Sequence, residues 1–104
     1  MIHPDVEKHL DEIIRLCEEY GVARLEIFGS AVSGEFDPER SDVDFLIEYP
    51  HDYDSGHWGS RYQAFENGLE EILGRDVDLV TMKWLRNPYL INAIEQSKVL
   101  LYAA

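Results

Sequence analysis

The sequence predicts an α/β or α+β domain in which a β-sheet packs against helices. Two observations lead to this fold class. Strand-like runs are separated by segments whose apolar residues recur at helical spacing, and glycine or proline stands near most of the boundaries. Strands that alternate with helices in this way form a sheet with helices on its faces. At 104 residues, the chain is expected to be a single domain over residues 1–104.

A helix is predicted at the start of the chain, from about Pro4 to Gly21. Its apolar residues follow the spacing of one helix face, and they are Val6, Leu10, Ile13, Cys17 and Tyr20. Because the only cysteine falls on this apolar face, it is expected to be a buried core thiol and not a nucleophile. A single cysteine also excludes an internal disulfide framework and a multi-cysteine zinc site.

The remaining elements alternate along the chain. Strands are predicted over about 23–28, 43–49, 76–82 and 99–102. The predicted helices are a short turn from Ser30, a helix with an apolar stripe from Tyr62 to Leu73 that ends at Gly74, and a helix from Pro88 to about Gln96 with Asn87 as its N-cap. Polar loops are expected over 34–41 and 50–59.

Three acidic residues are candidate metal ligands. Asp42 and Asp44 stand one position apart at the start of the second strand, so their side chains point to the same side, opposite to Val43 and Phe45. Carboxylates in such a pair suit magnesium, which binds a few carboxylates together with water and substrate phosphates. Asp78 lies in the third strand and joins the pair if that strand is beside the second.

A glycine and a serine follow the first strand and are candidates for holding phosphate. Gly29 has access to backbone angles closed to other residues, which lets the chain approach a phosphate closely. Ser30 supplies a hydroxyl, and the amides of the next helical turn add donors. A phosphate cradle together with three carboxylates is the equipment for metal-assisted transfer of a nucleotide from a nucleoside triphosphate.

The charge of the chain limits its partners. Nine basic and twenty-one acidic residues give a net charge of −12, and the basic residues form no run. Direct nucleic-acid binding is therefore not expected, because it depends on clusters of Lys and Arg. The acidic surface suits a basic protein partner, or it serves only to keep the protein soluble. With no apolar run of membrane-spanning length and no signal peptide, a cytoplasmic protein without membrane association is expected.

The order of these motifs resembles the minimal nucleotidyltransferases of the DNA polymerase β-like superfamily. The similarity rests on the segments 29–34 (Gly-Ser-Ala-Val-Ser-Gly), 41–47 (Ser-Asp-Val-Asp-Phe-Leu-Ile) and 77–80 (Val-Asp-Leu-Val), and the tail over 92–102 also resembles the family's ending. Two features depart from it. Ser33 stands where many members have Arg, and the loop before Asp42 is about one residue longer than the commonest form.

The resemblance implies a fold, ligands and site residues. The fold is a small mixed β-sheet flanked by helices, and the ligands are two Mg²⁺ ions with ATP as substrate. It implies metal-binding and catalytic roles for Asp42, Asp44 and Asp78, and nucleotide-binding roles for Gly29, Ser30 and Ser41.

Small stand-alone members of this family are often antitoxins that pair with HEPN-domain ribonuclease toxins. The resemblance thus implies transfer of AMP from ATP to a tyrosine hydroxyl of such a toxin. Two alternatives remain open: a non-catalytic antitoxin that neutralises its partner by occlusion, and nucleotidyl transfer to a small-molecule acceptor.

Two other uses of an Asp-x-Asp motif do not fit the sequence. Haloacid-dehalogenase-like phosphatases carry the motif at the end of an apolar strand, whereas Glu39, Arg40 and Ser41 precede it here. An EF-hand loop requires further oxygen ligands and a glycine where this chain has Leu46 and Ile47.

Overall fold

In the part of the chain that the structure describes, four strands form one sheet, and they are β1 (Arg24–Phe28), β2 (Val43–Glu48), β3 (Val77–Val80) and β4 (Val99–Ala103). The computed structural model describes residues 2–34, 37, 42–49 and 58–104. The strand order is β3-β2-β1-β4; β1 runs antiparallel to both β2 and β4, whereas β3 runs parallel to β2. The mixed sheet with flanking helices that the sequence predicted is confirmed.

The helices are α1 (Pro4–Glu7), α2 (Leu10–Tyr20), α3 (Ser30–Ser33), α4 (Trp58–Leu73) and α5 (Pro88–Ser97), with a 3₁₀ turn at Met82–Trp84. The predicted cap of α5 is confirmed, because the Asn87 side chain accepts a hydrogen bond from the Tyr89 amide at 2.9 Å. Within the described ranges, no helix is long and apolar enough to cross a membrane.

The prediction of one continuous first helix was wrong, since α1 and α2 are separate. His9 has φ −107° and ψ 9°, outside the helical range. Its amide bonds the Val6 carbonyl, which tightens the last turn of α1, and its own carbonyl accepts the first bond of α2 from Ile13. The apolar spacing could not reveal this break, because Val6 and Ile13 are both fully buried on either side of it.

Two predicted boundaries also differ from the structure. The third strand was expected over 76–82, but β3 ends at Val80, where its pairing with Leu46 of β2 ends. The 3₁₀ turn follows, with the Trp84 amide bonded to the Thr81 carbonyl at 3.2 Å. Helix α4 begins at Trp58, inside the loop predicted over 50–59, and residues 50–57 of that loop lie outside the described residues.

The main core lies between one face of the sheet and helices α2 and α4. Its fully buried members include Ile13 and Cys17 of α2, Phe65 and Leu69 of α4, and Leu25, Ile27, Val43, Phe45 and Ile47 of the sheet. The buried core thiol predicted for Cys17 is confirmed. Burial, with a smaller contribution from Glu18, raises the pKa of Cys17 to about 12.

The opposite face of the sheet buries a charge. Glu26 is 5% exposed and is the cross-strand partner of Leu46, which is also buried. Its carboxylate oxygen lies 3.3 Å from the Arg24 Nε and 3.5 Å from the Lys98 Nζ. These two cations offset the cost of removing the carboxylate from water.

Replacing Lys98 by Met is expected to lower the free energy of unfolding by about 1–3 kcal/mol, because Glu26 is then left buried with one fewer cation. Urea denaturation measures this change. Lys83→Met is the matched control, since Lys83 is exposed, and its effect is expected to stay within about 0.5 kcal/mol. Equal effects of the two substitutions would show that the ion pair at Glu26 contributes nothing.

Candidate active site

The parallel pairing of β2 and β3 brings two of the predicted acidic residues together. Asp44 is the register partner of Asp78, so both side chains leave the same face of the sheet from adjacent strands. Asp42 precedes β2 and is exposed, as is Asp78, whereas Asp44 is half-buried. The proposed place of Asp78 beside the pair required that β3 lie next to β2, and this condition is met.

The three carboxylates interact electrostatically. The pKa of Asp44 is raised from its ordinary value of 3.8 to about 6, first by burial, then by the negative charge of Asp78 and then by that of Asp42. The like charges of Asp78 and Asp42 disfavour ionisation of Asp44, and a bound cation would reverse that effect. The negative charges of Asp42 and Asp78 therefore act on Asp44 near the start of β2.

Gly29 lies directly against this cluster. It follows Phe28, the register partner of Asp44, and has φ 77° and ψ −149°, a conformation that L side chains rarely adopt. A Cβ atom added at Gly29 would overlap the Asp44 Oδ2 atom and lie 3.2 Å from its Cγ. Only glycine, therefore, allows the turn after β1 to approach the carboxylate this closely.

The predicted helical turn after Gly29 is present as α3. The Gly29 carbonyl accepts hydrogen bonds from the amides of Val32 and Ser33, both at 3.0 Å. Ser30 is the first residue of α3 and is half-buried next to Gly29. Ser41, the remaining predicted nucleotide-binding residue, lies outside the described residues.

The donor set suits magnesium that is shared with a substrate. In the part of the chain that the structure describes, no three His, Cys, Asp or Glu side chains are arranged to hold one metal ion by themselves. Mg²⁺ is usually bound through one or two carboxylates, with phosphates and water completing its six ligands. Asp44, beside Gly29 and opposite Asp78, fits this kind of incomplete protein site.

Comparison of the sequence with known protein families identifies the family of this chain. The pattern of the family described as nucleotidyltransferase domain matches residues 10–101, which include both strands of the acidic cluster. The chain belongs to the nucleotidyltransferase family. Over 96 residues, this nucleotidyltransferase is 36% identical to a Methanocaldococcus jannaschii protein provisionally named a protein adenylyltransferase, and the match covers 86% of this chain and 92% of that relative.

Solved structures share the fold of this nucleotidyltransferase. A structure provisionally described as a minimal nucleotidyltransferase superposes with a TM-score of 0.74 at 25% identity, over 95% of each chain. A chain from the complex of a tri-AMPylated Shewanella oneidensis HEPN toxin with its MNT antitoxin gives a TM-score of 0.64 at 18% identity, over 94% of this chain and 72% of that one. At that identity the second likeness concerns the fold alone.

Two residues of α4 next to the cluster were not identified as functional candidates from the sequence. The Tyr62 hydroxyl donates a hydrogen bond to the Leu79 carbonyl, and the Glu70 carboxylate accepts one from the Val77 amide at 3.2 Å. Burial, followed by the charges of Glu66 and Asp78, raises the pKa of Tyr62 to about 12, so its hydroxyl keeps its proton at neutral pH. Apolar periodicity places Tyr62 on the packed face of a helix, but it gives no sign of these bonds to the backbone.

Proposed function

We propose that this nucleotidyltransferase moves AMP from ATP to a tyrosine hydroxyl of a HEPN-type ribonuclease toxin and acts as that toxin's antitoxin. The observation that carries the proposal is the placement of Asp44 against Gly29 and opposite Asp78. The name of the 36%-identical relative supports a protein as acceptor. The AMPylated HEPN toxin in the complex of a structural neighbour supports the choice of nucleotide and partner.

Each predicted residue has a distinct part in this reaction. Gly29, Ser30 and Ser41 hold the phosphates of ATP beside the carboxylates. Asp42 and Asp44 are the residues that would hold Mg²⁺, and the ion supplies charge stabilisation and a lowered pKa for an oxygen bound to it. Asp78 faces the same space and would help to activate the acceptor hydroxyl, either by joining the pair in holding the metal or by accepting the proton.

The bond changes in the transfer balance without any further reactant. The acceptor oxygen forms a bond to the α-phosphorus of ATP, and the bond from that phosphorus to the bridging oxygen of pyrophosphate breaks. The hydroxyl proton passes to Asp78 or to solvent, and pyrophosphate leaves with its own negative charge. Because a tyrosine hydroxyl is neutral at pH 7, a carboxylate beside it assists the attack.

Intact-mass spectrometry tests the proposal. The protein encoded beside this chain is incubated with it, ATP and Mg²⁺, with an Asp42→Asn/Asp44→Asn variant in parallel. We expect the partner to gain the mass of one or more AMP groups only with the wild-type chain. The modified residue is then located by peptide sequencing.

Other outcomes favour the alternatives. A stable complex that neutralises the toxin without any gain in mass, equally with the double variant, would favour occlusion. Transfer of AMP to a small hydroxyl compound added to the assay, without modification of the partner, would favour a small-molecule acceptor. Magnesium dependence is tested in the same assay by adding EDTA, which is expected to stop the transfer.

A further inference from the structure

We propose that Tyr62 and Glu70 of α4 are positioning residues, which hold Asp78 in place through the backbone of β3. We call these two residues the β3 clamp. The inference rests on the proposed role of Asp78 and extends it to side chains that need not touch ATP, metal or acceptor. It accounts for how Asp78, on the edge strand β3, keeps its place opposite Asp44.

The backbone of β3 has an open side. In the order β3-β2-β1-β4, β3 is an edge strand, and among the described residues it pairs only with β2. The Val43 amide bonds the Asp76 carbonyl at 3.2 Å, so the backbone groups of Asp76 face β2. Because successive residues of a strand present their backbone groups to alternate sides, those of Val77 and Leu79 face away from β2. An edge strand with such groups exposed is free to shift or to pair elsewhere.

Helix α4 closes this open side at two points. Glu70 accepts the Val77 N–H at 3.2 Å, and Tyr62 donates its hydroxyl to the Leu79 carbonyl. The two bonds therefore fall on the residues immediately before and after Asp78. The Tyr62 ring is also supported by Trp84, with ring centroids 5.6 Å apart.

Core packing also holds the β3 backbone on both sides of Asp78. The side chains of Val77 and Leu79 are 8% and 4% exposed and belong to the main core, while Asp78 points out of the opposite face. Two buried side chains and two hydrogen bonds thus fix the backbone on both sides of one carboxylate. A displacement of about 1 Å at a reacting group is enough to cost about 100-fold in rate.

The first test separates the clamp from general stability by kinetics. Tyr62→Phe removes only the hydroxyl and keeps the ring, and Glu70→Met removes the acceptor of the Val77 amide. We expect each to lower kcat for adenylyl transfer by about 10- to 100-fold, with KM for ATP changed by less than about twofold, because the phosphate-binding residues are untouched. Glu70→Gln keeps an oxygen acceptor and is expected to restore most of the rate.

Matched controls come from the same helix. Glu71 is the exposed neighbour of Glu70, so Glu71→Met makes the same chemical change away from β3 and is expected to leave kcat unchanged. Tyr62→Phe is also measured in an Asp78→Glu background, where the carboxylate is already displaced. We expect its effect there to fall below about twofold, since positioning acts through Asp78. A purely structural role would instead lower activity by the same factor in both backgrounds.

The outcomes distinguish the clamp from the proposed function. An active wild-type chain whose kcat survives both Tyr62→Phe and Glu70→Met would overturn the clamp and leave the proposed function standing. If the wild-type chain transfers nothing, the proposed function fails, and Mn²⁺ with a non-hydrolysable ATP analogue becomes the probe. Weaker Mn²⁺ broadening of the Asp78 amide signal in the two variants supports the clamp. Broadening that is unchanged, or absent from the wild type, overturns it.

Discussion

Replacing Asp44 by Asn is expected to abolish nucleotidyl transfer and, at the same time, to stabilise the metal-free fold at neutral pH. If Asp44 holds Mg²⁺ as proposed, its loss removes charge stabilisation worth several kcal/mol, so the rate is expected to fall by at least about 1000-fold. The gain in stability has a separate cause, since the ionised Asp44 is half-buried among two other carboxylates.

The sign of the stability change follows from the raised pKa of Asp44. Its folded-state pKa is about 6, against an ordinary value of 3.8, so between these two pH values the folded chain binds more protons at this site than the unfolded chain. Stability from this group is therefore complete below about pH 4 and is lost as the pH rises through 6. Without solvent screening, a shift of this size corresponds to a loss of about 3 kcal/mol; because Asp44 is only half-buried, we expect about 1–2 kcal/mol.

Urea denaturation in EDTA, at pH 7 and near pH 4, measures this effect. The free energy of unfolding of Asp44→Asn is expected to exceed that of the wild type by about 1–2 kcal/mol at pH 7. Near pH 4, where the wild-type carboxyl is protonated in the folded state, the two values are expected to match. Asp76→Asn makes the same change in net charge at an exposed residue outside the cluster and serves as the control. A gain of equal size at both pH values, or any loss at pH 7, would contradict the electrostatic explanation.

Local patterns predicted most of the fold. Apolar spacing and the Asn87-Pro88 cap located α2, most of α4 and α5, and residue alternation located β1 and β2. The errors arose where tertiary contacts decide the outcome. The break at His9 lies within a continuous apolar stripe, and the end of β3 is set by the extent of its pairing with β2. Neither cause is visible in the sequence near those residues.

The acidic pair and Gly29 were predicted by local rules, whereas the strand register and the hydrogen bonds around them were not. The pleat of a strand places Asp42 and Asp44 on one side without knowledge of the fold. The parallel register that sets Asp78 opposite Asp44 depends on strand order, which spacing alone leaves open. The bonds from α4 to β3 join a side chain to a backbone group, and no residue pattern marks them.

Gly29→Ala is expected to be the most damaging single-methyl change in the site. The backbone at φ 77° and ψ −149° costs a residue with a Cβ about 1–3 kcal/mol, and the added methyl group also overlaps the Asp44 carboxylate. To relieve the overlap, Asp44 must move away from the turn at Gly29. We therefore expect at least about a 100-fold loss of adenylyl transfer together with a lowered midpoint of urea denaturation.

Gly21→Ala separates the backbone effect from the overlap. Gly21 ends α2 with φ 68°, and a Cβ atom there meets nothing within 4 Å. We expect Gly21→Ala to lower the free energy of unfolding by about 1–2 kcal/mol and to leave the activity of the folded protein intact. A similar loss of activity in both variants would mean that unfolding, and not displacement of Asp44, is responsible.

A double variant keeps the argument testable if Gly29→Ala folds poorly. In an Asp44→Ala background the carboxylate is gone, and the Cβ atom of residue 44 lies 3.6 Å from the added methyl group, an ordinary contact. Gly29→Ala should then cost only its backbone strain, so the two substitutions should destabilise less together than the sum of their separate effects. Strictly additive free energies of unfolding would show that Gly29 is required by its own backbone alone. A coupling of about 1 kcal/mol or more would show that glycine is required here because Asp44 lies against it.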